Sequence, residues 1–298
     1  MNTLAYARYH LLHTAPTPRC WRGAARHIAR ADSGTVGSDV PVPAAAAALD
    51  EPSQPAPVQE QDQEASSGDR FKGLKVFVAG ATGGTGREVV TALRERGVPV
   101  VALARDAAAA VRKLPEVGEG LEIVEGDVTQ FGTLGPALRG ANAVVVATGT
   151  SDPKDPLGPL NVDFNGTLNL IEAAKRAGVK RFVLVTSIGA DELFNPLNLF
   201  WGAELALARS GLTFTVVRPG GLKSRLRQGE SSAGNIVFGR PNTYGFPPLR
   251  KSGSILRSQV AEVIIEALVE DAAKDKVVEV IAETSAPALP LAELFASV

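Results

Sequence analysis

The sequence predicts a single α/β domain built on a doubly wound parallel sheet. Two observations predict this class: short apolar runs recur along residues 71–298, and amphipathic helical patterns separate successive runs. Parallel strands need a crossover connection, usually a helix, so this alternation is typical of such a sheet. A third observation is a glycine-rich turn between the first apolar run and the first helical pattern. That turn indicates the edge of the sheet where a ligand would bind.

Two segments of different composition precede the domain. Residues 1–31 contain five arginines and no acidic residue, as an organellar transit peptide does. The alternative is a disordered basic tail in the cytosol. Mitochondrial and plastid signals share this composition, so the composition leaves both organelles open. Residues 32–70 are rich in proline, alanine and acidic residues and almost free of aliphatic side chains, so we expect a disordered linker there.

The distribution of reactive side chains excludes several kinds of site. The only cysteine is Cys20, and the only histidines are His10, His13 and His27. The domain therefore has neither residue type, so we expect no thiolate or imidazole metal site and no Ser–His–Asp or Cys–His catalysis. The net charge of −1 gives no reason to expect a nucleic-acid partner. No stretch approaches the roughly 20 apolar residues of a membrane-spanning helix.

The stretch Lys75–Arg87 contains the strongest functional motif. An apolar run, Val76–Ala79, is followed by glycines at every third position and then by a helical pattern. Glycine allows a tight turn and lets backbone N–H groups approach a diphosphate, which the positive end of the helix also stabilises. The motif predicts a site for a pyridine dinucleotide. The residues expected to contact it are Gly80, Thr82, Gly83, Gly84, Thr85, Gly86 and Arg87.

The end of the second strand is expected to distinguish NADP from NAD. The apolar run Val98–Leu103 is followed by Arg105 and Asp106, about 20 residues after the glycines. An acidic residue there would bind the ribose hydroxyls of NAD, whereas an arginine would pair with the 2′-phosphate of NADP. Arg105 comes first, and Arg87 could add a second positive charge. The sequence therefore favours NADP, with NAD as the alternative.

Later strand ends are expected at the same edge of the sheet. Leu121–Glu125 is followed by Asp127 and Val128, where the acid could bind an adenine amino group or cap the next helix. The next three strands are predicted at Ala141–Ala147, Arg181–Thr186 and Leu212–Arg218. The residues at these strand ends that we expect to contact the dinucleotide are Ala147, Thr148, Gly149, Pro219 and Gly220.

The remaining elements complete the alternation. Helices are predicted over Asn161–Ala177 and Asn198–Ser210, and a third has an apolar face between Val260 and Leu268. A last strand, Val277–Ile281, and a short tail helix, Leu289–Phe295, follow. Residues 222–252 contain many glycines and prolines and are expected to be irregular.

With these motifs in order, the chain resembles the atypical short-chain dehydrogenase/reductase family, whose NmrA-like members bind NAD(P) in a Rossmann fold. The stretches that carry the resemblance are Gly80–Gly86, Gly126–Val128, Val162–Ile171, Thr186–Gly189 and Val217–Gly221, and Ile255–Ala261 also fits the family's usual lead-in to its late helix. Three more resemble the nucleotide-binding portion of a plastid translocon-associated member that tethers ferredoxin–NADP reductase: Asn198–Gly202, Ala203–Leu212 and Lys276–Pro287. The resemblance implies a chloroplast location, with the mitochondrion as the alternative, and allows plastid protein partners.

One departure from the family concerns its chemistry. Members usually protonate a substrate through a Tyr-x-x-x-Lys pair on the helix after the fifth strand, while a serine orients the substrate carbonyl. Ser187 stands at the serine position and is the candidate catalytic residue, but residues 188–210 contain neither tyrosine nor lysine. Two hypotheses follow. The protein is a nucleotide-responsive scaffold or assembly factor, or it is an NADPH-dependent reductase of a small plastid metabolite such as a quinone, flavin, tetrapyrrole or carbonyl.

Overall fold

The computed structural model describes residues 70–115, 119–150, 155–191, 198–226, 228–245 and 250–298. The predicted transit peptide and nearly all of the predicted linker lie outside these ranges. Within them the strands are β1 (Val76–Ala79), β2 (Val100–Ala104), β3 (Leu121–Glu125), β4 (Ala143–Val146), β5 (Arg181–Val185), β6 (Phe214–Pro219), β7 (Gly221–Lys223), β8 (Asn235–Gly239), β9 (Ser254–Leu256) and β10 (Lys276–Glu283).

The α-helices of the described ranges connect these strands. They are α1 (Gly84–Glu95), α2 (Ala107–Val111), α3 (Phe131–Ala137), α4 (Thr167–Ala177), α5 (Asn198–Ala208), α6 (Arg257–Val269) and α7 (Leu291–Ser297). A π-helical segment, Pro159–Gly166, leads directly into α4, and a 3₁₀ turn covers Asp271–Ala273. No helix in the described part of the chain is long and apolar enough to cross a membrane.

The strands form one sheet in the order β3-β2-β1-β4-β5-β6-β10-β9-β7, with β8 paired to β10. The seven strands from β3 to β10 in this order are parallel to one another. This confirms the predicted doubly wound parallel sheet. The chain runs outward from β1 to β3 and then returns to β4 on the other side of β1. Ala79 and Val146 are paired at the carboxyl ends of β1 and β4, where the strand order reverses, and such a point is where open α/β sheets bind ligands.

Strand β1 is buried on both faces, as expected for a central parallel strand. Val76 and Val78 belong to the core that also contains Val89 of α1 and Ile264 of α6. Phe77 and Ala79 point to the opposite face, because side chains alternate along a strand, and they contribute to the core beneath α3, α4 and α5. The two cores hold the carboxyl end of β1 rigidly in the middle of the molecule.

Two sequence expectations need correction. Residues 222–252 are not irregular throughout, because β8 pairs antiparallel with the Glu279–Glu283 half of β10. Phe238 of β8 also meets Phe295 of α7 edge-on, with ring centroids 4.8 Å apart. Both partners lie much later in the chain, so the local pattern does not reveal them. The predicted helix over 161–177 begins in the π-helical segment, and only Thr167–Ala177 is α-helical.

Candidate functional site

The glycine turn, residues 80–86, joins β1 to α1 at the point where the strand order reverses. Gly80 has a φ of +80°, and a methyl group on its Cα would overlap the carbonyl of Ala147 at the end of β4. A methyl group on Gly86 would overlap the carbonyl of Gly80. These two positions therefore need glycine, because α1 lies directly against β1 and the turn lies directly against β4. The N–H groups of the first turn of α1, from Gly84 onward, have no acceptor within the helix.

The larger cavity, of about 690 Å³, lies above the carboxyl ends of β4, β5 and β6 on one side of the glycine turn. Most of its wall is glycine, small polar residues and apolar side chains. The residues predicted from strand ends and from the turn that line it are Gly83, Gly84, Thr85, Ala147, Thr148, Gly149, Ser187, Pro219 and Gly220.

The smaller cavity, of about 380 Å³, lies on the other side of the turn, above the ends of β1, β2 and β3. It is lined by Gly80, Thr82, Arg105, Asp127 and Val128, all of which the sequence predicts. Both cavities share Gly83 and the segment 147–150, so they meet across the glycine turn. A dinucleotide has the matching shape, because its diphosphate joins two nucleoside halves.

The outer end of the smaller cavity is positively charged. Arg105 and Lys113 line it, and both also line an adjoining recess of about 110 Å³. Asp106, the acid that could have favoured NAD, accepts a hydrogen bond of 2.8 Å from the Ala109 N–H and caps α2. Lys113 was missed in the sequence. The available signal was the basic pair Arg112–Lys113 directly after the short helix that follows β2.

Asp127 was predicted either to reach adenine or to cap a helix. Its Oδ1 accepts hydrogen bonds from the N–H and the hydroxyl of Thr129, both at 2.8 Å. Helix α3 starts only at Phe131, with Gln130 at its N-cap position, so Asp127 stabilises the turn before the helix. It also lines the smaller cavity, so contact with a nucleotide stays a prediction.

Two predicted residues line neither of these cavities. Gly86 is buried below the turn, where its role is the close contact of α1 with β1. Arg87 is exposed on α1 and does not join Arg105 at the outer end of the smaller cavity. Their direct contact with a nucleotide therefore stays a prediction, and Lys113 stands where a second positive charge was expected from Arg87.

Two of the hydroxyl groups in the wall of the larger cavity directly follow β5. Ser187 Oγ donates a weak hydrogen bond of 3.2 Å to the carbonyl of Ile188. Thr186 Oγ1 donates a bond of 2.6 Å to Glu204 Oε1, and Arg218 donates to both oxygens of Glu204 at 3.1 and 2.7 Å. Glu204 and Arg218 are completely buried. Of the described residues that line this cavity, none is tyrosine, lysine, histidine or cysteine, and Arg257 is the one that carries a charge.

Glu204 and Arg218 belong to a buried charge network completed by Asp191 and Glu279. Arg218 Nη1 lies 3.1 Å from Asp191 Oδ2 and 3.7 Å from Glu279 Oε1. Burial alone would lower the pKa of Arg218, but the nearby carboxylates of Glu204 and Asp191 outweigh it and raise the pKa, so the guanidinium stays charged. Burial raises the pKa of Glu279, although backbone N–H groups donate to its carboxylate. The network joins β6, α5 and β10 behind the cavity wall.

Arg257 was also missed in the sequence. It is the first residue of α6, and its guanidinium lies over Gly84 in the glycine turn. The signal in the sequence was a basic residue directly after the apolar pair Ile255–Leu256, where a helix begins. Among the described residues there is no group of three or more His, Cys, Asp or Glu side chains that could hold a metal ion.

Comparison with known proteins agrees with this geometry. Residues 80–271 match the family described as NAD(P)H-binding. An uncharacterised chloroplastic protein of Arabidopsis thaliana is 39% identical over 245 residues, which cover 76% of this chain and 83% of the relative. The chloroplastic protein TIC 62 of Pisum sativum is 38% identical over 247 residues, which cover 74% of this chain and 45% of that protein.

More distant relatives extend the comparison. The photosystem II assembly factor Ycf39 of Trieres chinensis is 36% identical over 151 residues, which cover 50% of this chain and 46% of the relative. The chain thus spans about half the length of TIC 62 and Ycf39. In structure, the oxidoreductase ylbE of Lactococcus lactis superposes with a TM-score of 0.57 at 21% identity, over 75% of this chain and 96% of that one. That likeness shows the fold alone.

The matched residues include the glycine turn, both strand ends beside it and most of the residues that line the two cavities. The predicted family resemblance is therefore confirmed, and the chain belongs to the NAD(P)H-binding, Rossmann-fold family whose relatives include TIC 62 and Ycf39.

Proposed function

We propose that this protein binds NADP(H) across its two cavities and acts in the plastid as a nucleotide-responsive scaffold or assembly factor. One observation carries the proposal. A two-lobed dinucleotide site meets a cavity wall whose described residues include no tyrosine or lysine to transfer a proton. The plastid location is supported by the predicted transit peptide and by the chloroplastic names of the relatives.

The residues around the turn have distinct roles in this proposal. The free N–H groups at the start of α1 hold the diphosphate, and the adenosine half occupies the smaller cavity. Arg105 and Lys113 pair with the 2′-phosphate of NADP, since Asp106 is engaged in capping α2. The nicotinamide half lies in the larger cavity beside Ser187 and Pro219. When bound, the nicotinamide supplies hydride chemistry, which the cofactor carries itself.

The scaffold role is supported by the partners of the charged side chains behind the wall of the larger cavity. Glu204, Arg218 and Glu279 bind one another inside the protein instead of facing the cavity. Ycf39, a relative over half of this chain, is named as an assembly factor. We therefore infer that this domain acts mainly by binding the nucleotide and not by converting a substrate.

Calorimetric titration of the full chain with NADPH and NADH tests the proposal. Wild type should bind NADPH more tightly. Arg105→Ala should weaken NADPH by about tenfold to a hundredfold and leave NADH nearly unchanged, because a charge-assisted hydrogen bond contributes about 1.5–3 kcal/mol. Arg112→Ala is the matched control, since Arg112 is exposed nearby and lines neither cavity. Equal losses for both nucleotides after Arg105→Ala would contradict the assignment of the 2′-phosphate.

The alternative is an NADPH-dependent reductase of a small plastid metabolite. The observation that favours it is the larger cavity, whose volume of about 690 Å³ is that of a small-molecule site and whose wall includes Ser187. The proton would then come from solvent or from Ser187. Steady oxidation of NADPH in the presence of a quinone, flavin, tetrapyrrole or carbonyl compound would establish this alternative. Absence of turnover across that panel, with tight NADPH binding, supports the scaffold.

A further inference from the structure

We propose that Arg257 is a positioning residue for the diphosphate of the bound nucleotide, which its guanidinium contacts from its place beside Gly84 in the glycine turn. This inference rests on the proposed nucleotide site. Neither the glycine motif nor the strand ends indicate such a residue, because Arg257 begins a helix that follows the last part of the sheet.

The side chain of Arg257 lies directly against Gly84. A methyl group on Gly84 would lie 2.6 Å from Arg257 Nε and 2.9 Å from its Cδ. Gly84 does not belong to the every-third series of Gly80, Gly83 and Gly86, and it is not among the glycines with positive φ. Its lack of a side chain therefore serves the approach of Arg257 to the turn.

The guanidinium of Arg257 also has unused hydrogen-bonding capacity. It is half-buried, and Nη1 donates one bond of 2.8 Å to Ser224 Oγ. No carboxylate in the described part of the chain forms an ion pair with it, whereas the buried Arg218 has three carboxylates around it. A guanidinium has five N–H donors in a planar fork, which suits the oxygens of a phosphate group.

The surroundings favour an anion at this point. Arg257 lies at the start of α6 and contacts the start of α1, whose positive end favours negative charge. Arg257 lines the larger cavity beside Gly84 and Thr85, whose backbone N–H groups have no acceptor within α1 and are the expected diphosphate donors. A diphosphate bound there would accept hydrogen bonds both from these backbone groups and from the guanidinium.

Arg257 and Arg105 should therefore respond to different parts of the nucleotide. Arg105 lines the smaller cavity, where the 2′-phosphate is expected, and Arg257 lines the larger one at the turn. The diphosphate is common to NADPH and NADH, whereas the 2′-phosphate belongs to NADPH alone. The two arginines can thus be separated by the choice of ligand.

The test is calorimetric titration of full-length wild type, Arg257→Gln and Arg105→Ala with NADPH, NADH and 2′,5′-ADP, which has a 2′-phosphate but no diphosphate. Arg257→Gln should weaken NADPH and NADH by the same factor, about tenfold or more, and 2′,5′-ADP by clearly less. Arg105→Ala should weaken NADPH and 2′,5′-ADP but not NADH. Arg257→Lys, which keeps the charge without the fork, should fall between wild type and Arg257→Gln.

Unchanged melting temperatures would show that the variants are folded. Binding of both dinucleotides by Arg257→Gln within twofold of wild type would overturn the inference and leave the proposed function standing. A loss by Arg257→Gln that is confined to NADPH would also overturn it, since the residue would then read the 2′-phosphate. Wild type that binds neither dinucleotide would overturn the proposed function and this inference together.

Discussion

The two cavities of the site, here called its lobes, are formed by different kinds of chemical groups. The smaller lobe and the glycine turn present backbone groups, glycines and two outward basic side chains, Arg105 and Lys113. The wall of the larger lobe is backed by a completely buried pair, Glu204 and Arg218, whose charges satisfy each other. The basic side chains of the smaller lobe line its cavity, whereas the buried pair behind the larger lobe is paired inside the protein.

This difference extends to helix α5, which follows β5 and contains neither tyrosine nor lysine. Here the charged residue of that helix nearest the wall is Glu204, and it accepts hydrogen bonds from Thr186 and Arg218 inside the protein. The helix therefore contributes to the stability of the wall.

The largest effect expected from this comparison is on folding. Glu204→Ala leaves Arg218 buried without its main partner, and breaking a buried ion pair in this way costs about 3–5 kcal/mol. Urea denaturation followed by circular dichroism measures the loss. Glu172→Ala is the control, because the exposed Glu172–Arg176 pair should contribute less than about 1 kcal/mol. Similar losses of unfolding free energy in both variants would contradict this expectation, since the buried network would then stabilise the protein no more than a surface ion pair does.

The next effect concerns the glycine turn. Gly86→Ala should cost about 1–3 kcal/mol of unfolding free energy and weaken NADPH binding at least tenfold, because the methyl group overlaps the Gly80 carbonyl and displaces α1. Gly132→Ala in α3 has open space around it and should instead stabilise the protein slightly, by about 0.5 kcal/mol or less. Calorimetry and urea denaturation of both variants measure these changes. Unaltered NADPH affinity in Gly86→Ala would mean that the geometry of the turn does not control binding.

The smallest expected effect is a pH dependence of the free energy of unfolding, caused by a residue near the point where the two cavities meet. Asp163 is 5% exposed and accepts a hydrogen bond from Thr150, which lines both cavities. Burial raises the pKa of Asp163 despite that bond. The protonated form of Asp163 makes a favourable contribution to the free energy of unfolding, which is complete below the ordinary aspartate pKa of about 3.9. This contribution is lost as pH rises through the folded pKa. Its size is about 1.4 kcal/mol per unit of difference between the folded and unfolded pKa values.

Asp163→Asn should remove this dependence. Urea denaturation between pH 4 and pH 8 should show the stability of wild type falling relative to the variant as pH rises. Glu279, whose pKa is also raised by burial, is present in both proteins and cancels in the difference. Parallel curves over the whole range would show that Asp163 ionises as easily in the folded protein as in the unfolded one.

The features that the sequence predicted well are the local ones. The run Val76–Ala79, the glycine turn and the residues after β4 and β6 follow from short patterns whose geometry is decided within a few residues. Most of them line one of the two cavities, because parallel strands bring their carboxyl ends to one edge of the sheet. Arg87 was predicted only from its position at the start of the helix. In the structure its side chain is exposed on α1 and lines neither cavity.

The features that the sequence did not reveal depend on contacts between distant segments. Strand β8 is defined by its pairing with β10, and Arg257 meets Gly84 only after the sheet and both helices have assembled. The Glu204–Arg218 pair is equally hidden, because a glutamate on an apolar helix carries no sign of the strand residue that it will bind.

The sequence by itself determined the fold class and the glycine turn, because the alternation of apolar runs with helical patterns and the spacing of glycines are properties of the chain. The tertiary structure alone decided which charges line the cavities and which face one another. Burial and hydrogen-bond partners set that division, and both exist only once segments as far apart as α5, β6 and β10 lie side by side.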